Sequence, residues 1–82
     1  MKVRIYGTPT CTYCISAKKL CEQNSIDYEY IVLANPQMIE QLSEMIGGPV
    51  KTVPQIFINS DGFDEYIGGY DEFAAEITNL TL

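Results

Sequence analysis

The chain has 82 residues, 46% of them apolar, and a formal net charge of −6. This length predicts a single domain, residues 1–82, with one small hydrophobic core. Three Cys and no His argue against a disulfide-rich secreted framework, and against a zinc site unless a carboxylate or a second copy completes it. The N-terminus runs into a strand pattern without an apolar leader, and no segment approaches the roughly 20 apolar residues of a membrane span. We therefore expect a cytoplasmic protein that does not bind membranes.

Acidic residues dominate the second half of the chain. All five basic residues lie within the first 51 positions. The acidic residues beyond that point are Asp61, Asp64, Glu65, Asp71, Glu72 and Glu76. Nucleic-acid binding requires clustered Lys and Arg, so it is not expected here. We interpret these acids mainly as a solvated face.

The apolar periodicity predicts the element order β-α-β-α-β-β-α. The predicted strands cover residues 2–6, 27–33, 52–58 and 63–67, and the predicted helices cover 12–24, 36–46 and 71–80. The first strand–helix–strand unit predicts a right-handed parallel crossover. Asn59-Ser60-Asp61-Gly62 has the residues of a hairpin turn between the last two strands.

Capping residues and apolar stripes define the predicted helices further. Asn35 followed by Pro36 is typical of an N-cap and a first helical residue, and Gly47-Gly48 ends that helix. The side chains predicted to face inward are Cys14, Ala17, Leu20 and Cys21 in the first helix, Ile39, Leu42 and Ile46 in the second, and Phe73, Ile77 and Leu80 in the third. We interpret Cys21 as a small buried core residue and not as a redox thiol.

Two thiols, Cys11 and Cys14, stand three residues apart where the first strand ends and the first helix begins. At a helix start, free N–H groups and the positive end of the dipole favour an anion, so Cys11 is the expected nucleophile. Cys14 lies about one turn further along the same face. It is therefore the expected resolving partner.

The sequence resembles the glutaredoxins over nearly its whole length. The motifs that carry this resemblance are Ile5-Tyr6, Cys11-Thr12-Tyr13-Cys14, Ala17-Lys18, Thr52-Val53-Pro54-Gln55-Ile56-Phe57-Ile58 and Ile67-Gly68-Gly69-Tyr70-Asp71. The resemblance implies a thioredoxin-like α/β fold with a four-stranded mixed sheet in the order 2-1-3-4. The first and third helices would lie on one face of that sheet and the second on the other.

The resemblance also implies a glutathione-dependent disulfide oxidoreductase in which Cys11 attacks and Cys14 or a second glutathione resolves the mixed disulfide. A cis bond before Pro54 would present the backbone of Val53 beside Cys11 as an edge for an extended thiol peptide. The glutathione-binding residues implied are Tyr13, Lys51, Thr52, Val53, Pro54, Gly69, Tyr70 and Asp71, and the further candidates are Tyr6, Thr8 and Thr12. Glutathione would be a co-substrate, with no tightly bound cofactor and no metal.

Two positions depart from the family pattern. Thr8 stands three residues before Cys11, where many relatives carry Lys, which removes a cation near the thiolate and the glutathione carboxylate. Thr12 replaces the Pro of the commonest dithiol members, and relatives without that Pro sometimes hold a [2Fe-2S] cluster between two subunits.

Two alternatives therefore stay open. One is a cluster-binding glutaredoxin, and the other is a glutaredoxin-like hydrogen donor reduced by thioredoxin reductase. The partners implied by the resemblance are glutathione and disulfide-bearing or glutathionylated proteins, with ribonucleotide reductase a family-level candidate. We expect a monomer.

Overall fold

A computed structural model describes residues 1–81. The elements are β1 (Lys2–Gly7), α1 (Thr12–Gln23), β2 (Asp27–Val32), α2 (Pro36–Ile46), β3 (Gln55–Ser60), β4 (Phe63–Gly68) and α3 (Tyr70–Thr81). The four strands form one sheet in the order β2-β1-β3-β4. β1 pairs in parallel with β2, and the other two pairings are antiparallel. The predicted thioredoxin-like arrangement is confirmed.

Local signals set several element ends where the sequence placed them. The Asn35 side chain caps α2 by accepting a hydrogen bond from the N–H of Met38 at 3.0 Å. Gly47 ends the same helix in the left-handed conformation, with φ +80°. Asp61 and Gly62 both have positive φ, as a two-residue type I′ hairpin turn requires. At each of these points the residue type suits the local backbone: Asn35 supplies a capping oxygen, and Gly47 and Gly62 tolerate a positive φ.

The main core lies between the sheet and the helices α1 and α3. Alternate residues of β1 and β3 point into it, because successive side chains of a strand face opposite sides of the sheet. The buried members of this cluster are Val3, Ile5, Ala17, Cys21, Ile56, Ile58, Phe73 and Ile77. Together they hold α1, and thus the dithiol at its N-terminus, in a fixed position over the sheet.

The opposite face of the sheet carries a second, smaller buried region. Phe57 lies on this face and is buried, and Leu42 of α2 is buried outside the main core. Arg4 pairs there with Glu29 of β2 at 3.7 Å and with Asp64 of β4 at 3.0 Å. Asp64, one of the acids of the second half, therefore has a basic partner. The helices α1 and α3 therefore cover one face of the sheet and α2 covers the other, as predicted.

Some predictions need correction. The third strand begins at Gln55 and not at residue 52, because Thr52 and Val53 lie in a bend before Pro54. Leu80 was predicted to face inward but is 54% exposed, since it lies in the last turn of α3 near the edge of the core. Ile39 is 41% exposed although its neighbour Leu42 is buried. Over residues 1–81, every helix is too short or too polar to cross a membrane.

Candidate functional site

Cys11 is the N-cap residue of α1. Its backbone is extended, with φ −80° and ψ 118°, and its Sγ accepts a hydrogen bond from the N–H of Cys14 at 3.3 Å. The same sulfur lies 3.6 Å from the carbonyl oxygen of Val53, to which its thiol can donate. Cys11 is partly exposed. A solvent-accessible sulfur therefore meets a free main-chain N–H, the arrangement that favours negative charge at a helix start.

Cys14 lies behind Cys11 and is fully buried. Burial raises the pKa of the Cys14 thiol, and its hydrogen bond with Cys11 adds to that rise. Hydrogen bonds with the main chain of Thr8 and the hydroxyl of Tyr30 lower the pKa and offset part of it. Cys14 is therefore protected from solvent, whereas Cys11 is the thiol that a substrate can reach.

The segment before β3 forms the opposite wall of the site. The Val53–Pro54 peptide bond is cis, as the resemblance implied. Gln55 is buried, and its Nε2 donates to the carbonyl oxygen of Thr52 at 2.8 Å. The hydroxyl of Tyr66 donates in turn to Oε1 of Gln55. This chain of hydrogen bonds from β4 fixes the bend that carries the Val53 carbonyl.

A groove of about 360 Å³ lies between this bend and the start of α3, and it is lined by Val53, whose carbonyl oxygen faces the sulfur of Cys11. We call it the thiol groove. Its lining residues are Tyr13, Thr52, Val53, Pro54, Gln55, Tyr66, Gly68, Gly69, Tyr70, Asp71 and Glu72. The rings of Tyr13 and Tyr70 lie 6.1 Å apart between their centroids and connect α1 to α3. A molecule held in the groove therefore contacts aromatic rings, main-chain groups and two carboxylates.

A second, smaller cavity of about 210 Å³ adjoins the same bend. Its lining residues are Thr8, Leu33, Ile39, Val50, Lys51, Thr52 and Val53. Thr52 and Val53 line both cavities. Lys51 and Thr8 therefore lie together, next to the thiol groove but outside it.

The remaining candidates lie elsewhere. Tyr6 is on the α2 side of the sheet, where its ring packs edge-on against Phe57 at 5.6 Å. It is not among the residues that line the thiol groove. Thr12 is exposed in the first turn of α1 and lines neither cavity.

Four groove residues were not among the predicted site residues, namely Gln55, Tyr66, Gly68 and Glu72. Gln55 and Gly68 lie within the motifs quoted above, so their place beside Pro54 and Gly69 was the available signal. Tyr66 and Glu72 lie outside those motifs. Gly68 has φ +124°, and a Cβ there would lie 3.3 Å from the side chain of Glu72. Glycine therefore lets the end of β4 approach α3 closely.

Cys21 plays no part in the groove. It is fully buried in the main core, and burial raises its pKa to about 11, with the adjacent Glu22 adding to the rise. The thiol therefore stays protonated at neutral pH, in agreement with the interpretation of Cys21 as a core residue.

Sequence comparison finds close similarity to bacterial proteins. The glutaredoxin family model matches residues 3–63. The chain is 40% identical over 81 residues to glutaredoxin 1 of Escherichia coli, covering 92% of this chain and 91% of that protein. It is 42% identical over 81 residues to a glutaredoxin of Haemophilus influenzae, covering 92% of this chain and 88% of that protein.

Structural comparison agrees with the sequence. The structure of reduced Escherichia coli glutaredoxin superposes with a TM-score of 0.81 and 36% identity, covering 100% of both chains. A buckwheat glutaredoxin–glutathione complex superposes with a TM-score of 0.74 and 27% identity, covering 94% of this chain and 68% of that one. With its dithiol at the start of α1 and these similarities over most of its length, the chain belongs to the glutaredoxin family of thiol-disulfide oxidoreductases.

Proposed function

We propose that this protein is a glutathione-dependent dithiol oxidoreductase, with Cys11 as the nucleophile and Cys14 as the resolving thiol. The observation that carries the proposal is the contrast between the two sulfurs. Cys11 is partly exposed and receives the Cys14 N–H, whereas the Cys14 side chain is fully buried behind it. Only one of the two thiols can meet a bulky disulfide.

The first step is thiol–disulfide exchange. The Cys11 thiolate attacks one sulfur of a substrate disulfide, a bond forms between Cys11 and that sulfur, and the substrate S–S bond breaks. The other substrate sulfur leaves as a thiolate and takes up a proton. The N–H of Cys14 offsets the negative charge on Cys11 before the attack.

The mixed disulfide can then be resolved in two ways. Cys14 attacks Cys11, forms the intramolecular disulfide and releases the second substrate thiol. Alternatively, when Cys11 carries glutathione, a second glutathione attacks the glutathione sulfur and leaves as glutathione disulfide. The first route oxidises the enzyme dithiol by two electrons, and two molecules of glutathione return it to the reduced state.

The thiol groove offers complementary groups for a small acidic thiol peptide such as glutathione. The bend at Val53 presents main-chain groups to which an extended peptide can pair as an added strand. The first turn of α3, after Gly69, has free N–H groups that suit a carboxylate, and Asp71 beside it suits an amine. The structural neighbour from buckwheat is a complex with glutathione, which supports glutathione as the ligand proposed here.

The protein substrates that we propose are disulfide-bearing or glutathionylated proteins, with ribonucleotide reductase as a family-level candidate. Glutathione acts as a co-substrate in this scheme and not as a resident cofactor. We propose that the protein works as a monomer in the cytoplasm, where glutathione is abundant and reduced.

The choice of reductant provides the decisive test. Reduction of a protein disulfide would be followed by NADPH oxidation, with either glutathione and glutathione reductase or thioredoxin reductase alone. We expect turnover in the first system and only background in the second. Turnover with thioredoxin reductase alone would replace this proposal by the hydrogen-donor alternative.

A second prediction concerns Thr8, which shares its cavity with Lys51. Introducing a cation through Thr8→Lys is expected to lower KM for glutathione about two- to fivefold, because an exposed ion pair with a carboxylate contributes up to about 1 kcal/mol. Lys51→Gln should raise KM by a similar factor. Steady-state kinetics at low and high salt would measure both effects, and screening by salt should reduce them.

A matched control for Thr8→Lys is Ser60→Lys. Ser60 is exposed at the far end of β3 from the site, so the substitution adds the same charge without a local contact. Its KM should remain near that of the wild-type protein. An unchanged KM in Thr8→Lys, or an equal drop in Ser60→Lys, would show that position 8 does not face the glutathione carboxylate.

A further inference from the structure

A tyrosine hydroxyl meets the buried thiol of the dithiol pair. A Cβ built on Gly7 would lie 2.5 Å from Sγ of Cys14 and 2.8 Å from Oη of Tyr30. Both polar atoms therefore crowd the same point above β1, a space that only glycine leaves open. Tyr30 belongs to β2, in register with Ile5 of β1, so the sheet itself sets its place.

The Tyr30 side chain is held in this position from several sides. Its ring packs against the main core, and Nζ of Lys18 lies 5.0 Å from the ring centroid, in a cation–π contact. Its hydroxyl donates a hydrogen bond to the carbonyl oxygen of Thr8. The hydroxyl thus links the turn before Cys11 to the space occupied by Cys14.

We propose that Tyr30 is a positioning residue for the resolving step, and that its hydroxyl donates a hydrogen bond to the Cys14 sulfur when this sulfur becomes a thiolate. The inference rests on the dithiol function proposed above and adds a third residue to it. Rotation of the hydroxyl about its C–O bond redirects the proton from Thr8 to Cys14 without moving the ring. A hydrogen bond to a full negative charge is about twice as strong as one to a neutral carbonyl, which favours this change.

This hydrogen bond assists the attack of Cys14 on the mixed disulfide. The Cys14 thiol releases its proton to solvent, and its sulfur attacks Sγ of Cys11 in the mixed disulfide. The Cys11–Cys14 bond forms as the bond from Cys11 to the substrate sulfur breaks. The substrate sulfur leaves as a thiolate and is protonated, so two electrons pass from the enzyme dithiol to the substrate.

The surroundings of Cys14 explain why such a donor matters. Burial disfavours its charged form. Within residues 1–81, the ionisable side chains that interact with this sulfur are Cys11 of α1 and Tyr30 of β2, and Lys18 stands over the Tyr30 ring. β1 presents Gly7 at this point, and the turn after it contributes the main chain of Thr8. Tyr30 is therefore the one side-chain donor identified next to a thiolate that must form in a buried place.

The test is a stopped-flow reaction of the reduced protein with dithiobis-nitrobenzoate, which releases a coloured thiolate at each exchange. Attack by Cys11 gives a first phase that depends on reagent concentration. Resolution by Cys14 gives a second phase that does not. In Tyr30→Phe we expect the second phase to slow about tenfold at neutral pH and its pH midpoint to rise by about one unit, since one pKa unit is a factor of ten.

Tyr28→Phe is the matched control. Tyr28 lies on the same face of β2, two residues away, and its hydroxyl donates to Glu22 at 2.8 Å, so the same atom is removed away from the dithiol. Its second phase should keep the wild-type rate and pH midpoint. Circular dichroism would verify that both variants unfold cooperatively.

The outcomes separate the inference from the function on which it rests. A wild-type protein without the reagent-independent phase would overturn the dithiol function and the inference with it. If the wild-type protein shows the second phase and Tyr30→Phe shows it at the same rate and pH midpoint, the inference alone would be overturned. Slowing without a shift of the pH midpoint would also overturn it, because the hydroxyl would then act only by holding Thr8. Equal slowing of the second phase in Tyr28→Phe would likewise overturn the inference.

Discussion

Cys11→Ser is expected to reduce both deglutathionylation and protein-disulfide reduction to the uncatalysed background. A serine hydroxyl stays protonated near neutral pH and is a far poorer nucleophile than a thiolate. Cys14 cannot take over the attack, because it is fully buried behind Cys11. The structure leaves no second accessible thiol among residues 1–81, since Cys21 is buried as well.

Cys14→Ser is expected to separate the two activities. A second glutathione can release glutathione from Cys11, so deglutathionylation needs one enzyme thiol and should keep much of its rate. A protein mixed disulfide depends on attack by the adjacent Cys14, where proximity contributes a large effective concentration. Protein-disulfide reduction should therefore fall by at least about tenfold, an effect of about 1.4 kcal/mol on the barrier.

Steady-state turnover of a glutathionylated peptide and of a protein disulfide would measure both variants, and mass spectrometry would identify trapped intermediates. Cys14→Ser should accumulate a substrate joined to Cys11. Residual exchange in Cys11→Ser would assign the nucleophile to another thiol. Equal loss of both activities in Cys14→Ser would show that Cys14 has no separate resolving role.

Gly7→Ala is expected to have the second large effect. The added Cβ would lie 2.5 Å from Sγ of Cys14, closer than two such atoms can approach, so the thiol and the Tyr30 hydroxyl must move. Overpacking of this kind costs about 1–3 kcal/mol of stability. A displacement of about 1 Å in a reacting group can lower a rate on the order of 100-fold, so protein-disulfide reduction should fall steeply as well.

Gly48→Ala provides the control for this substitution. A Cβ on Gly48 would meet no heavy atom within 4 Å, and its φ lies outside the left-handed range. Its free energy of unfolding in urea should change by less than about 0.5 kcal/mol. If Gly7→Ala were as stable and as active as Gly48→Ala, the close contact between Gly7 and Cys14 would not constrain the native protein.

The sequence predicted the fold well wherever a local signal sufficed. Asn35 and Pro36 specify the start of α2 by themselves, and the Asp61-Gly62 turn specifies the hairpin. The predicted start of β3 is three residues too early, because Thr52 and Val53 favour strands. The bend there is held by the nearby side chain of Gln55, and Tyr66 of β4 in turn fixes this side chain through a contact that no local pattern shows.

In the site, too, features with a local sequence signal were predicted, whereas features that depend on tertiary contacts were not. The dithiol and the residues around Pro54 were recognisable from their motifs. Tyr30 was not, because its contact with Cys14 depends on the pairing of β2 with β1 and on the missing side chain of Gly7. A tyrosine in an alternating strand is typical of core packing. The position of its hydroxyl beside Cys14 is set by the tertiary structure and not by the local sequence.

The capping role of Cys11 has a consequence for the evolution and engineering of this chain. Helix N-caps are preferentially Ser, Thr, Asp or Asn, which stabilise a helix by about 0.5–2 kcal/mol relative to Ala. The chain places a sulfur at this position because its chemistry requires one there. Stability and catalysis therefore compete for one residue, and stabilising substitutions must be sought away from the start of α1. An inactive Cys11→Ser protein retains a good cap, so its lost turnover cannot be attributed to a weakened helix.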